Sequence, residues 1–165
     1  GNASLLNLGT TWTAIGSTSS MSARDNTGSV PGSDGVVGIP IYNVGGNQLA
    51  SSYTDFWDGL LAWPVIYNRD GVGGQTTIAT GTLPNGLMSS GFTLGNPLIA
   101  VGISTQPSDN WINVNESDGA LTRSMYAMSG VLTVPAVVPE PSHYAGVAAL
   151  GLIAFSVWRR LKARG

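Results

Sequence analysis

The chain predicts a mainly β globular domain over residues 1–134, a Pro-rich linker over 135–141, one transmembrane helix over 142–158 and a basic tail over 159–165. Three observations carry this. Gly, Ser, Thr and Asn dominate the first 130 residues and apolar runs there are short, the pattern of many short strands joined by turns. Pro135, Pro139 and Pro141 fall within seven residues, leaving no room for a compact element. From Ala145 to Trp158 there is no charge, and Arg159, Arg160, Lys162 and Arg164 follow at once.

Taken in order, strands are expected at Leu8–Ile15, Val36–Tyr42, Leu61–Tyr67, Thr76–Thr82, Leu98–Ile103, Trp111–Val114 and Leu121–Val134. The last has apolar residues on both faces and is expected to be a central strand. Turn signals separate the runs: Pro31-Gly32-Ser33-Asp34-Gly35, Gly45-Gly46-Asn47, Asp70-Gly71, Pro84-Asn85-Gly86, Gly95-Asn96-Pro97 and Asp118-Gly119. Ser51 to Gly59 reads instead as a short helical turn, capped by Ser52 or Thr54 and stopped by Gly59, with its aromatic residues inward. A β-sandwich or jelly roll is the alternative architecture on strand count alone.

Charge is scarce and uneven. Residues 1–138 hold eight acids against three arginines, a net of −5, and the remainder holds four bases against Glu140, a net of +3. A domain of that sign is a poor match for phosphate backbones, so nucleic acid is not an expected partner. The chain has no cysteine, which removes disulfides and thiolate metal sites. Its only histidine, His143, and its only lysine, Lys162, both lie in the tail. Within residues 1–138 a Ser-His-Asp or Cys-His catalytic arrangement is therefore excluded. The expectation is a non-enzyme with no required cofactor.

Two places merit weighing for chemistry. Asp55 and Asp58 fall on one face of a helical turn, and paired carboxylates held across a cleft hydrolyse glycosides; the competing reading makes them a helix cap and an Asp-Gly turn. Asn113, Asn115, Glu116 and Asp118 offer oxygens within six positions, the ligand type that Ca²⁺ takes, or else form a solvated turn between strands. Trp111 sits beside that loop. Trp12, Trp57, Trp63 and Trp111 all have faces that can stack on sugar rings, but Trp57 and Trp63 are expected in the core.

The C-terminus has three pieces in sequence: Val138-Pro139-Glu140-Pro141-Ser142, the apolar span of 17 residues from Ser142 to Trp158, and Arg159-Arg160-Leu161-Lys162. As a helix that span is about 26 Å long, the short end of a membrane crossing. The basic end is expected on the cytoplasmic side, leaving residues before Pro139 outside. This tail resembles the PEP-CTERM sorting signal of bacterial exported proteins. The resemblance implies export, passing residence in the inner membrane, cleavage by an exosortase-type membrane protease, and release to the cell surface or matrix. Extracellular polysaccharide is the partner the family implies. The chain begins with Gly1 and shows no signal peptide, so a processed chain or a fragment is expected.

A second resemblance lies in the domain. Ile41-Tyr42-Asn43-Val44, Tyr53 to Gly59, Tyr67-Asn68-Arg69-Asp70-Gly71, Thr80 to Gly86, Asn110-Trp111-Ile112 and Arg123 to Met128 occur in an order similar to the endostatin-like branch of the C-type-lectin-like fold. Ala79 stands where that family has tryptophan, the family's cysteines are absent, and the helix before the first strand is missing. In lectin-like folds a Trp-Asn-Asp run supplies calcium ligands; here it is Trp111-Ile112-Asn113. The functional expectation is an exported surface or matrix protein. The alternatives are a calcium-dependent sugar-binding module, a carboxylate-based glycoside hydrolase, and a surface fibre or assembly subunit that accepts a partner strand on an open edge.

Overall fold

The structure, a computed structural model, describes residues 8–68 and 70–133, with Arg159 and Lys162 beyond them. The chain divides into two compact units, Gly1–Leu132 and Thr133–Gly165. The first is β-rich with few, short helices. Its strands are β1 (Trp12–Ile15), β2 (Ile41–Tyr42), β3 (Gln48–Ala50), β4 (Thr77–Ala79), β5 (Leu98–Ile103), β6 (Asn115–Asp118) and β7 (Tyr126–Ser129). Two single-turn helices, α1 (Ala23–Asn26) and α2 (Tyr53–Phe56), and a 3₁₀ turn at Asp109–Trp111 complete it. In the second unit Arg159 and Lys162 are helical and exposed. The linker and the expected span at 142–158 lie outside the described residues. Among the described residues no helix is long and apolar enough to cross a membrane.

The strands form three small antiparallel sheets: β1–β7, β2–β3 and β4–β5–β6. β5 is the central strand of the largest, running opposite β4 (Ile78↔Gly102) and β6 (Ala100↔Glu116). Its interior residues Ile99, Ala100 and Val101 are buried, as a continuous apolar run with partners on both edges requires. Ile99 and Val101 pack with Ala79, Leu94 and Val114. Around Gly102 the 3₁₀ turn presses so close that a Cβ there would overlap the Trp111 carbonyl oxygen. β7 pairs with the first strand, Ile15 opposite Tyr126 and Trp12 opposite Ser129. The Ala79 N–H donates to the Ser124 carbonyl (3.0 Å), which ties the approach to β7 onto the edge of β4.

The main core is aromatic. Trp111, fully buried, lies against Phe56 (5.1 Å between ring centroids), Trp57 (6.0 Å) and Tyr126 (5.6 Å). Phe56 and Trp57 meet edge to face at 4.8 Å. Contacts of this kind are worth about 0.5–1.5 kcal/mol each beyond area burial. The polar ends are satisfied locally: Tyr126 Oη donates to the Trp111 carbonyl (2.9 Å), and Trp57 Nε1 donates to the Ser29 carbonyl (2.9 Å). Burial pushes the Tyr126 phenol well above its ordinary range. Beside this core lies a knot of buried hydroxyls. Thr80 Oγ1 donates to the Ile112 carbonyl (2.6 Å), Thr82 Oγ1 to the Thr80 carbonyl (2.7 Å), and Ser17 Oγ accepts from the Ala23 N–H (2.9 Å). Gly81, between the two threonines, has φ +61°, and a Cβ there would meet the Ser17 carbonyl oxygen at 2.5 Å. Only glycine permits that crossing.

Several expected elements are shorter or different. Leu98–Ile103 forms as expected, and Ser52 caps α2 by accepting from the Asp55 N–H (3.1 Å), with Gly59 following at φ +94°. Val36–Tyr42 reduces to Ile41–Tyr42. Asp34 Oδ2 accepts from the Ile39 N–H (3.0 Å) and the Tyr53 N–H (2.7 Å), closing a loop that leaves Val36 and Val37 fully exposed at its tip. Leu61–Tyr67 forms no strand, only a bridge of Tyr67 to Gly73, because Pro64 has no N–H to donate. Trp111–Val114 is not a strand either: the Trp111 N–H bonds to the Ser108 carbonyl (2.8 Å), and the strand starts at Asn115. Within Leu121–Val134 the described residues form a strand only at Tyr126–Ser129, with an isolated bridge of Ser124 to Ile78, and that strand lies in a two-stranded sheet, not in the centre of one. Helix α1 was unforeseen; Ser22 and Asp25 hydrogen-bond each other as a capping pair at its start.

Candidate functional site

A surface with exposed aromatic side chains is formed by the β2–β3 hairpin and the segment packed along it. The hairpin turns through Asn43–Asn47, where Asn43 Oδ1 accepts from both the Gly45 and Asn47 N–H groups (3.0 Å each) and Gly46 takes φ +83°. Asn43 is there because its short side chain can replace backbone acceptors within a tight turn. The neighbouring segment is fastened at two points. The Ala62 N–H donates to the Leu49 carbonyl (2.9 Å), and Asn43 Nδ2 reaches the Pro64 carbonyl (3.5 Å). Trp63 lies between these two fastenings, and its side chain is 56 % exposed. Tyr42, equally exposed, is paired with Gln48 across the hairpin, so both side chains stand on one face. Tyr67 lies over the turn: a Cβ on Gly45 would meet its ring at 2.6 Å. Trp63 was expected in the core. It is exposed because the run from Leu60 to Ile66 buries fully only Leu61.

The residues weighed as calcium ligands lie along β6 and just before it. Asn115, Glu116 and Asp118 belong to β6, where alternate side chains leave on opposite faces, so Asn115 is turned away from Glu116 and Asp118. Asp118 Oδ1 is occupied by the Ala120 N–H (2.9 Å) in a local turn. Asn113 precedes the strand and its N–H bonds to the Asp109 carbonyl (3.0 Å). Among the described residues no cluster of three or more acidic, His or Cys side chains is placed to hold a metal ion. Trp111 has no exposed face, so the expectation that it stacks on a ligand is corrected: two consecutive buried residues, Trp111 and Ile112, put it at the centre of the core.

The carboxylates raised as a hydrolase pair have structural partners. Asp55 Oδ2 accepts from the Ser51 N–H (2.6 Å) and Oγ (2.8 Å), and Asp58 Oδ1 accepts from the Leu60 N–H (2.8 Å). These are the bonds of a helix start and of a turn. Asp34 is the acid that sequence reasoning missed. The Tyr53 N–H, seconded by that of Ile39, holds its carboxyl below its ordinary value of 3.8. In sequence it is marked only by the nearby glycines Gly32 and Gly35, both of which take positive φ. Of the sorting-tail residues, Val138, Pro139, Glu140, Pro141 and Ser142, together with Arg160 and Arg164, lie outside the described residues. No protein-family model matches this chain, and it matches no curated protein and no solved structure.

Proposed function

We propose that the chain is an exported bacterial cell-surface or extracellular-matrix protein, delivered by a PEP-CTERM-type tail and without catalytic activity of its own. The single observation that carries this is the order of pieces at the C-terminus: Val138-Pro139-Glu140-Pro141-Ser142, a charge-free apolar stretch, then Arg159, Arg160 and Lys162. A span near the lower length limit followed directly by bases suits a segment that stops in the inner membrane with its basic end inside. Its partners are then the lipid bilayer, an exosortase-type protease and, outside, extracellular polysaccharide. The non-catalytic reading is supported by Asp55 and Asp58, whose carboxylates serve backbone N–H groups. For the domain, three small separate sheets are a poor match for a β-sandwich or jelly roll, which pack two broad sheets face to face, and the lectin-like, endostatin-like reading is kept on the order of its sequence motifs.

The test is the intact mass of the protein recovered from the surface or medium of a host that carries an exosortase. The expected product ends between Val138 and Ser142. Pro139→Ala combined with Glu140→Ala should leave the protein uncut in the membrane fraction. A released product that still ends at Gly165 overturns the reading.

A further inference from the structure

We propose that the β2–β3 hairpin and the segment Ala62–Tyr67 form a binding surface for a neutral polysaccharide, with Trp63 and Tyr42 stacking on sugar faces; the proposal rests on the exported-matrix reading and names its ligand class and site. The argument begins with what is left unused. Trp57 and Trp111 are spent on the core, and Trp57 donates its indole N–H within it. Trp63 and Tyr42 are each 56 % exposed on backbone that is pinned on either side. Neither the Trp63 indole N–H nor the Tyr42 hydroxyl bonds to any described protein group. Gln48 is exposed and gives one amide N–H to the Ala50 carbonyl (3.3 Å), while its Oε1 accepts from no described group. Tyr42 pairs with Gln48, and the next residue, Leu49, is bonded to Ala62 beside Trp63, so the two aromatic residues belong to one stretch of backbone; apolar ring faces with a hydroxyl, an indole N–H and an amide oxygen on that stretch match the C–H face and hydroxyl rim of a pyranose. Because Asn43 holds both the turn and the Pro64 carbonyl, little ordering remains to be done on binding.

Charge selects the class of partner. Residues 39–50 and 60–68 contain no Asp, Glu, Lys or Arg, whereas residues 1–138 as a whole carry a net of −5. Among these residues a uronate-rich polymer or an anionic lipid would meet no cation, and the net charge of the domain would repel it. A neutral glycan loses nothing to that field.

The experiment is a titration of the full chain in a zwitterionic detergent without a sugar headgroup, followed by the tryptophan indole N–H signals in proton–nitrogen correlation spectra. The probes are cellohexaose, laminarihexaose and mannohexaose, with an oligogalacturonate as the anionic comparison. The Trp63 signal is expected to move with at least one neutral hexasaccharide, with Trp57 and Trp111 unmoved and the affinity unchanged from 50 to 500 mM NaCl. Trp63→Ala should weaken binding at least tenfold and Tyr42→Ala at least threefold. Trp12→Ala, on β1, should have no effect. No movement of Trp63 at 10 mM of every neutral probe, a preference for the anionic probe, equal loss in Trp12→Ala, or movement with protein concentration alone (a second copy of the chain) overturns the proposal. If the surface-released protein ends near Pro139 but binds none of the probes, only the glycan site falls. If binding holds while the product ends at Gly165, only the sorting reading falls.

Discussion

Replacing Trp111 with alanine separates a core residue from a ligand residue. The indole is fully buried and touches the rings of Phe56, Trp57 and Tyr126. Large aromatic-to-alanine changes in cores cost about 3–5 kcal/mol, and three ring contacts put this site toward the upper half of that range. A domain of this size has a total stability of roughly 5–15 kcal/mol, so the loss is about a quarter of it or more. With a urea slope of about 2 kcal/mol/M, the unfolding midpoint should fall by about 2 M at unchanged slope, read by near-ultraviolet circular dichroism. Trp111→Phe should be far milder, about 1 kcal/mol. It keeps a ring, and it removes an indole Nε1 that is buried with no hydrogen-bond acceptor. A Trp111→Ala midpoint within 0.3 M, roughly 0.6 kcal/mol on that slope, would refute the reasoning.

Thr80→Val keeps the shape but deprives the buried Ile112 carbonyl of the threonine hydroxyl, and should cost about 1–3 kcal/mol in the same unfolding assay. Gly81→Ala meets both a positive φ and the Ser17 carbonyl, and should cost more than about 2 kcal/mol. Gly28→Ala, with φ +68° and open space around it, should cost only about 1–2 kcal/mol. Asp34 has a folded pKa below its unfolded value, so its stabilising contribution is complete above pH 3.8 and is lost as pH falls through the folded value. Asp34→Asn should therefore flatten the acid limb of a midpoint-versus-pH curve below pH 4 and leave its shape above pH 5 unchanged.

How much of this was legible depended on whether a segment's own residues decide its fate. Leu98–Ile103 is a six-residue apolar run, and only a strand with partners on both edges hides it. Ser52 and Gly59 mark the ends of the helical turn around α2 chemically, and the turn forms there. Trp111 misled because the polar residues from Asn113 to Asp118 suggested a wet loop. Its burial is decided by the turn that begins at Ser108 and by Gly102, more than five positions away, which lets the two backbones touch. Trp63 misled in the opposite sense: an apolar run reads as buried, but its one-sided fastening to Leu49 and Asn43 covers Leu61 and leaves the indole outside. The exposed valines at 36 and 37 depend on an Asp34 bond to Tyr53, a long-range partner that no local pattern announces. Among the site candidates, the caps at Asp55 and Asp58 were readable from their neighbours. The aromatic hairpin surface required knowing which rings the core had already consumed.

The pairing of β1 with β7 joins residues on the order of a hundred positions apart, Trp12 with Ser129. A nascent chain cannot complete that clasp until nearly all of the domain has been synthesised, so Ile15 and Tyr126 meet last among the partners they need. Until then the first strand has no mate. The same arrangement makes the finished domain intolerant of trimming at its far end: a nick that removes Tyr126–Ser129 takes away the first strand's mate and one wall of the tryptophan nest together.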